Sequence, residues 1–213
     1  MKRALMVISA AVLISGFAVA QDEFSRFTFN AGAGFTTPVK AAGDRLDRGW
    51  NAGLGAGMNF SSHVGALLEV NYNRMGINSA TLNALSMPDG TASVFSATLN
   101  PIVHVNPRGP VDVYLIGGAG LYQWRTQFTQ PTVQVFTGFD PFLGIIYPVA
   151  VPVNQVITEY SVNKFGFNGG MGLTFGAIGR RKAKFYSEAR FNRVMLSPSR
   201  HFDMIPVTFG IRF

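Results

Sequence analysis

The sequence has 213 residues, a formal net charge of +7 and no cysteine, and 47% of its residues are hydrophobic while 14% are charged. The length fits one domain, and the absence of cysteine excludes disulfides and cysteine-based zinc sites. A basic surplus suits either nucleic acid or an anionic lipid surface. The export signal at the start of the chain argues against nucleic acid.

Residues 1–20 have the three parts of a secretory signal peptide. A charged start, Met1-Lys2-Arg3, precedes an apolar run through Phe17 and a small-residue cleavage site, Ala18-Val19-Ala20. The apolar run is short for a permanent membrane helix, which is the alternative interpretation. We expect cleavage to leave one domain over residues 21–213 and to lower the formal net charge from +7 to +5.

Eight segments alternate apolar and polar residues with the period of a β-strand, and turn residues bound each segment. The even number is what a closed antiparallel barrel with both ends on one side requires. The pattern predicts an all-β fold, an eight-stranded antiparallel up-and-down transmembrane β-barrel. The predicted strands are about 26–36, 49–60, 64–74, 93–105, 111–125, 163–175, 184–194 and 204–213.

The amphipathicity of these strands is inverted relative to a soluble barrel. In the second strand, Trp50, Leu54, Met58 and Phe60 share one face, while the other face carries only glycine and asparagine. Side chains that small do not build a hydrophobic core, so the apolar face is expected to meet lipid. Trp50 and Phe60 are then about 25 Å apart along the membrane normal, one near each interface.

The connections between strands alternate in length. Short turns belong to the periplasmic side of such a barrel and long connections to the outside. Between Arg125 and Glu159 the only charge is Asp140, which is unusual for a surface loop. We expect 126–162 to prolong two strands as a hairpin above the membrane, and whether it binds a ligand stays open. The long connections are 37–48, 76–92, 126–162 and 195–203.

Three charged residues have the inward parity of their strands. Glu69 lies in the third strand, and Glu188 and Arg190 lie in the seventh, on the opposite wall and at similar depth. An eight-stranded lumen is narrow enough for side chains to meet across it. Paired carboxylates suggest an acid/base couple, but the adjacent arginine favours a structural ion-pair network, because buried charges are stable only when paired.

His104 and Asp112 form a second inward pair near the periplasmic mouth. The intervening turn is expected to place 105 against 111, and therefore 104 against 112. A carboxylate-oriented histidine is half of a catalytic triad or metal site, but no third member is evident. We interpret the pair as a structural hydrogen bond.

Enzymatic chemistry has two further candidates. The glycine-rich runs lack the following helix that a nucleotide-binding fingerprint needs, so they indicate relief of crowding inside the barrel. Ser197, Ser199 and His201 cluster in the last outer connection with Asp203 as the single available acid, which leaves a lipid A-modifying enzyme as an alternative. We expect no enzyme activity, no cofactor and no metal.

Four arginines point outward at the extracellular ends of predicted strands. Arginine binds phosphates in a bidentate manner, and lipopolysaccharide presents phosphates at about that height. The alternative is a cation that merely extends to the interface. The candidate lipopolysaccharide contacts are Arg48, Arg74, Arg125 and Arg193.

Several motifs together resemble the OmpA/OmpX-type, opacity-like outer-membrane barrel family. They are Phe29–Phe35, Gly49–Gly57, Leu115–Leu121, Ser187–Phe191 and a final strand that ends in phenylalanine. The resemblance implies an eight-stranded barrel inserted by the outer-membrane assembly machinery, which reads such a C-terminal strand. Phe209, Ile211 and Phe213 are the corresponding residues here. The sequence lacks the peptidoglycan-binding domain of OmpA, so the resemblance does not imply tethering to the cell wall.

These patterns predict an outer-membrane barrel with a structural or surface-interaction role and no open pore. A surface adhesin or ligand-binding barrel that uses 126–162 is the first alternative, and a lipid A-modifying enzyme is the second. The expected partners are outer-membrane lipid and lipopolysaccharide, the assembly machinery, and an extracellular ligand if 126–162 binds one.

Overall fold

The computed structural model describes residues 25–178, 183–197 and 200–213, so the predicted signal peptide lies outside the described residues. Eight antiparallel strands form a closed barrel in chain order, which confirms the predicted fold class. No helix in the described ranges is long and apolar enough to cross a membrane. The strands are β1 Phe27–Val39, β2 Leu46–Asn59, β3 Val64–Ile77, β4 Asp89–His104, β5 Val111–Asp140, β6 Ile145–Ile178, β7 Ala183–Ser197 and β8 Arg200–Arg212.

The barrel closes where β8 pairs with β1. Gly32 lies opposite Gly210, and the ladder continues past β8 because Phe213 and Phe29 exchange both backbone hydrogen bonds, at 2.8 and 3.1 Å. Closure leaves no free strand edge in the described barrel wall, which is what a sheet solvated by lipid requires.

Side chains sort by parity as predicted. In β3, Leu67, Glu69 and Asn73 are buried inside, while Leu68 and Val70 are exposed on the outside. The outer surface therefore carries an apolar belt that includes aromatic residues from most strands. Its aromatic members include Phe29, Phe35, Trp50, Phe95, Phe165, Phe167, Phe175, Phe185, Phe209 and Phe213.

The lumen is not uniformly polar, and here the expectation of small inward residues was too general. Polar side chains fill its middle, and a small apolar cluster, Leu67, Ile102, Tyr114 and Ile116, lies toward the short turns. Large inward side chains occupy the space beside glycines on neighbouring strands. The ring of Tyr114, for example, lies where a Cβ at Gly172 would be. An apolar cluster fills the end with the long connections, hereafter the outer end: Leu46, Met75, Ile77, Ala92, Val94, Tyr122, Val194, Phe202 and Met204.

Two of the outer connections are ordered over that cluster. A 3-10 turn, Lys40–Ala42, follows β1, and a short helix, α1, covers Ser79–Ala84. Asn78 caps α1 by accepting a hydrogen bond from the Thr81 backbone N–H at 2.8 Å. Ala42 and Leu82 pack against the apolar cluster, so these connections cover the outer end of the lumen.

The region 126–162 is a hairpin continuous with β5 and β6, as expected. The two strands stay paired from Val111↔Phe175 to Asp140↔Ile145, with one irregularity at Phe128/Thr129. The lengthened β5 also explains why β4 begins at Asp89, because Asp89 pairs with Thr129. The last outer connection is shorter than the predicted 195–203, since Ser197 already pairs with Arg200.

Candidate functional site

The three predicted lumen charges lie together in the middle of the barrel. The Arg190 Nη2 atom is 2.7 Å from Glu69 Oε2, and its Nε donates to Glu188 Oε1. All three side chains are buried. The contact crosses the lumen from β7 to β3, so it ties together two walls that share no backbone hydrogen bonds.

Neutral side chains complete the hydrogen bonding of both carboxylates. Asn30 and Asn100 donate their amides to Glu69 at 2.8 and 2.6 Å, and the Tyr114 hydroxyl donates to Glu188 at 2.9 Å. Sequence reasoning missed these partners, although Asn30, Asn100 and Tyr114 all have the inward parity of their strands. With arginine, asparagine and tyrosine donors on the two carboxylates, the cluster fits a structural ion-pair network rather than an acid/base couple.

Arg212 is a fourth lumen charge that the sequence analysis did not identify. Its guanidinium lies over the rings of Tyr114 and Tyr186, at 4.5 and 5.2 Å from their centroids, and its Nη2 is 3.9 Å from Glu188. Two arginines therefore face two glutamates in this part of the lumen. The network carries no net charge that would select an ion.

Little free space remains beside this network. The cavity at its level has a volume of about 20 Å³, which is room for about one water molecule. Asn51, Asn73, Thr98 and Asn168 are among the side chains that line it. The network occupies the middle of the described lumen, and the apolar cluster occupies its outer end.

The pair His104 and Asp112 is in contact, but the predicted register was wrong. His104 lies opposite Tyr114 on the neighbouring strand, so the contact with Asp112 is diagonal. The Asp112 carboxylate also accepts the backbone N–H of Asn106 at 3.1 Å, which fixes the turn. Within the described ranges, no group of three or more His, Cys, Asp or Glu side chains could hold a metal ion.

Two of the four rim arginines are already bound to carboxylates. Arg193 donates hydrogen bonds from Nε and Nη2 to the Asp203 carboxylate, both at 2.8 Å, and Arg125 forms an ion pair with Glu159 at 2.7 Å. The hydrogen bond from Arg125 lowers the pKa of the Glu159 carboxyl below its usual range. Only rim arginines without a carboxylate partner can use all their N–H groups to bind an external phosphate.

Arg48 and Arg74 are those arginines. Both are exposed, and neither has a carboxylate partner among residues 25–178, 183–197 and 200–213. Arg74 lies opposite Trp50 on the neighbouring strand, and Arg48 lies at the register shift between Leu46 and Gly49. The basic cluster predicted for the opposite rim, Arg180, Arg181 and Lys182, lies outside the described residues.

Asp203 has a second cation that the sequence analysis missed. The Lys40 Nζ atom is 2.9 Å from its carboxylate, and Lys40 adopts a left-handed backbone conformation, with a φ of 57°. Hydrogen bonds from Arg193, followed by the Lys40 contribution, lower the pKa of Asp203 to about 2. Two cations on one carboxylate leave one positive charge in excess at this point of the rim.

Among the described residues of the enzyme candidate in the last outer connection, the acid and the histidine are not in contact. Asp203 is occupied by Arg193 and Lys40, and His201 lies opposite Met195 on β7. Ser199 lies outside the described residues. A catalytic triad needs an acid that orients its histidine. The Asp203 carboxylate is bound to Arg193 and Lys40 instead.

The residues of the expected assembly signal are on the outer surface. Phe209 and Phe213 are each about half exposed, at 52%, and Ile211 is intermediate on the same face of β8. Their outward parity presents a continuous apolar stripe at the closing strand.

Comparison with known proteins identifies the relatives of this fold. The profile of the outer membrane protein beta-barrel domain family matches residues 6–213, and no curated protein matches. The structure is similar to Neisserial surface protein A, NspA (TM-score 0.54, 15% identity, 88% of this chain and 96% of that chain). It is also similar to a major outer membrane protein from Thermus thermophilus (TM-score 0.53, 12% identity, 88% and 97%).

A further similar structure is Ail, the attachment invasion locus protein of Yersinia pestis, in complex with the heparin analogue sucrose octasulfate. Its TM-score is 0.49 at 19% identity, covering 89% of this chain and 100% of that chain. Likeness at these identities shows the fold alone.

Proposed function

We propose that this chain, which belongs to the outer membrane protein β-barrel domain family, is a closed surface barrel. In this proposal the barrel neither conducts solutes nor catalyses a reaction, and its long outer connections present the surfaces that meet lipid or other partners. The observation that carries the proposal is the filled lumen. Arg190 bridges the walls in the middle, and Tyr122 and Met204 belong to the apolar cluster that fills the outer end.

Conductance tests this proposal. Purified protein in a planar bilayer should give no large steady current, because the cavity beside the lumen network has room for about one water molecule. An open porin recorded under the same conditions controls for the reconstitution. A large, voltage-stable conductance that scales with the number of inserted barrels would contradict the closed lumen.

Export and assembly complete the proposal. The parts of a signal peptide in residues 1–20 support secretion with cleavage after Ala20. The apolar stripe of β8 that ends at Phe213 supports insertion by the outer-membrane assembly machinery. N-terminal sequencing of protein from the outer membrane should begin at Gln21.

Lipopolysaccharide binding at the rim is a second candidate function. The observation that favours it is the exposure of Arg48 and Arg74 without carboxylate partners among the described residues, beside the outward-facing Trp50. Arg125 and Arg193 are bound to Glu159 and Asp203, so we expect them to contribute less. A ligand that binds only the folded state raises stability by mass action, which gives a readout.

The test replaces Arg48, Arg74, Arg125 and Arg193 by Gln together. This variant should fold in neutral detergent and lose the thermal stabilisation that added lipopolysaccharide gives the wild type. The control removes the three charges predicted for the opposite rim, at Arg180, Arg181 and Lys182, and should keep this stabilisation. Equal losses in both variants would mean that only bulk charge matters.

A further inference from the structure

The tip of the β5–β6 hairpin, residues 139–147, is the most exposed apolar segment of the described chain. Phe142 is 97% exposed, which is the largest exposure among the large hydrophobic residues, and Leu143 is 69% exposed. Both lie in the turn between β5 and β6. Large apolar side chains that project this far from a fold indicate a contact with a partner or a membrane.

The hairpin is almost without charge. Asp140 is the only charged residue between Arg125 and Glu159. Its carboxylate accepts the backbone N–H groups of Phe142 and Leu143, at 2.8 and 3.2 Å, so its charge is used to hold the turn. A partner recognised through charge has no counter-charge to meet here.

Both faces of the hairpin carry large, exposed apolar side chains near its tip. Phe139 pairs with Ile146 on one face, while Phe136 pairs with Val149 on the other. A protein groove that receives an amphipathic segment covers one face and leaves the opposite face in water. A lipid phase contacts both faces at once, so the two-sided pattern favours lipid over a protein surface.

The ladder keeps the tip away from the membrane that holds the barrel. Pairing is unbroken from Thr129↔Val156 to Asp140↔Ile145. The chain from Arg125 to Asp140 therefore spans about 50 Å along the strand, or roughly 40 Å in height at the usual tilt. A lipid surface that the tip reaches is thus a second, apposed bilayer.

The open edges of the hairpin limit how deep it can go. Above Asp89, β5 has no partner on its other side, so alternate backbone groups of residues 133–139 are not paired in the ladder. Unpaired backbone groups are costly in hydrocarbon, which excludes insertion of the whole hairpin. The turn and its aromatic side chains can enter the interfacial layer, where such residues are stable.

We propose that the hairpin tip anchors the protein to an apposed, electrically neutral phospholipid bilayer by shallow insertion of Phe142, Leu143 and their neighbours. This inference rests on the proposed surface role of the outer connections. The partner is a lipid surface, and binding is driven by the transfer of apolar side chains from water to lipid. The binding is therefore insensitive to salt.

The experiment uses the full-length protein in nanodiscs and protein-free phosphatidylcholine vesicles in a flotation assay. The wild type should float with the vesicles equally at low and high salt. Phe142→Asp should reduce the bound fraction at least tenfold, since the side chain has almost no packing to lose. The matched control Leu85→Asp alters a half-exposed leucine after α1 and should bind as the wild type does.

A tryptophan reporter identifies the bilayer that the tip enters. In a background in which Trp50→Phe and Trp124→Phe remove the two native tryptophans, Phe142→Trp fluorescence should be quenched by brominated lipid in the vesicles and not by brominated lipid in the nanodisc. No flotation of the wild type, loss of flotation at high salt, an equal loss in Leu85→Asp, or quenching only from the nanodisc would each overturn the proposal. Conductance separates it from the proposed function, because a closed barrel without vesicle binding refutes only the anchor.

Discussion

The strands β5 and β6 have two different environments along their length. In the barrel wall, from Gly166 onward on β6 and up to Gly120 opposite it on β5, each strand has neighbours on both sides, and its residues alternate between a polar or tightly packed lumen and an apolar exterior. Beyond Thr129 on β5 and before Gly166 on β6 the two strands pair only with each other, and near the tip large apolar side chains lie on both faces. Alternation of apolar and polar residues is thus typical of strands whose two faces have different environments. Apolar residues on both faces are typical of a segment with the same environment on both sides.

The two regions also differ in what stabilises them. The wall is tied by backbone ladders on both sides and by the buried contact of Arg190 with Glu69 and Glu188. The hairpin has a single ladder and exposed side chains, and an isolated two-stranded hairpin is only marginally stable in water. We therefore expect substitutions in the wall to affect folding and changes in the hairpin to affect contacts with partners.

The largest effect is expected at the lumen network. Arg190→Ala leaves Glu69 and Glu188 buried without their main cation, which should lower the free energy of unfolding by about 3–5 kcal/mol. Urea titration of the folded barrel in detergent measures this change.

A double-mutant cycle tests whether this cost comes from the contact itself. Replacing Glu69 by Gln together with Arg190→Ala should cost less than the sum of the single changes, because the two side chains form one ion pair. Strict additivity would show that the wall is not held by this pair.

A smaller effect is expected at the closing strand. Phe213→Asp removes an apolar contact with lipid and places a charge near the interface, at a cost of about 2 kcal/mol. The altered strand should also assemble poorly, so unfolded precursor should accumulate in the periplasm. Heat-modifiable barrel at wild-type levels in the outer membrane would contradict the assigned lipid face.

Low pH should destabilise the protein at the outer rim, where Asp203 becomes protonated. The pKa of Asp203 is lowered from 3.8 to about 2, chiefly by hydrogen bonds from Arg193. Its contribution to stability is therefore complete above about pH 4 and is lost as the pH falls toward 2. Asp203→Asn should remove this part of the acid dependence in thermal unfolding curves, while Asp44→Asn, on an exposed outer connection, should retain it.

Period-two patterning predicted the wall well. It gave the parity of Glu69, Glu188 and Arg190 and placed them on facing walls, because a residue's face depends only on its position within a strand. It also predicted that 126–162 continues two strands, because the runs 133–136 and 149–153 are rich in valine, which favours strands.

Contacts that depend on exact register were not accessible in this way. The His104 register was wrong because the turn pins Asp112 through the Asn106 backbone, which no composition pattern reveals. The second cation on Asp203 comes from Lys40, which a left-handed turn brings across from β1. The apolar filling of the outer lumen required large residues of several strands to be considered together.

Deletion of residues 128–156 tests the separation of wall and hairpin most directly. The remaining residues 157 and 158 can close β5 on β6 as a two-residue turn, because Gln127 pairs with Glu159. The truncated barrel should show unchanged heat modifiability, a free energy of unfolding within about 1 kcal/mol of the wild type, and no binding to neutral vesicles. A truncated barrel that fails to fold, or one that folds and still binds the vesicles, would contradict the claim that the wall determines folding and the hairpin determines binding.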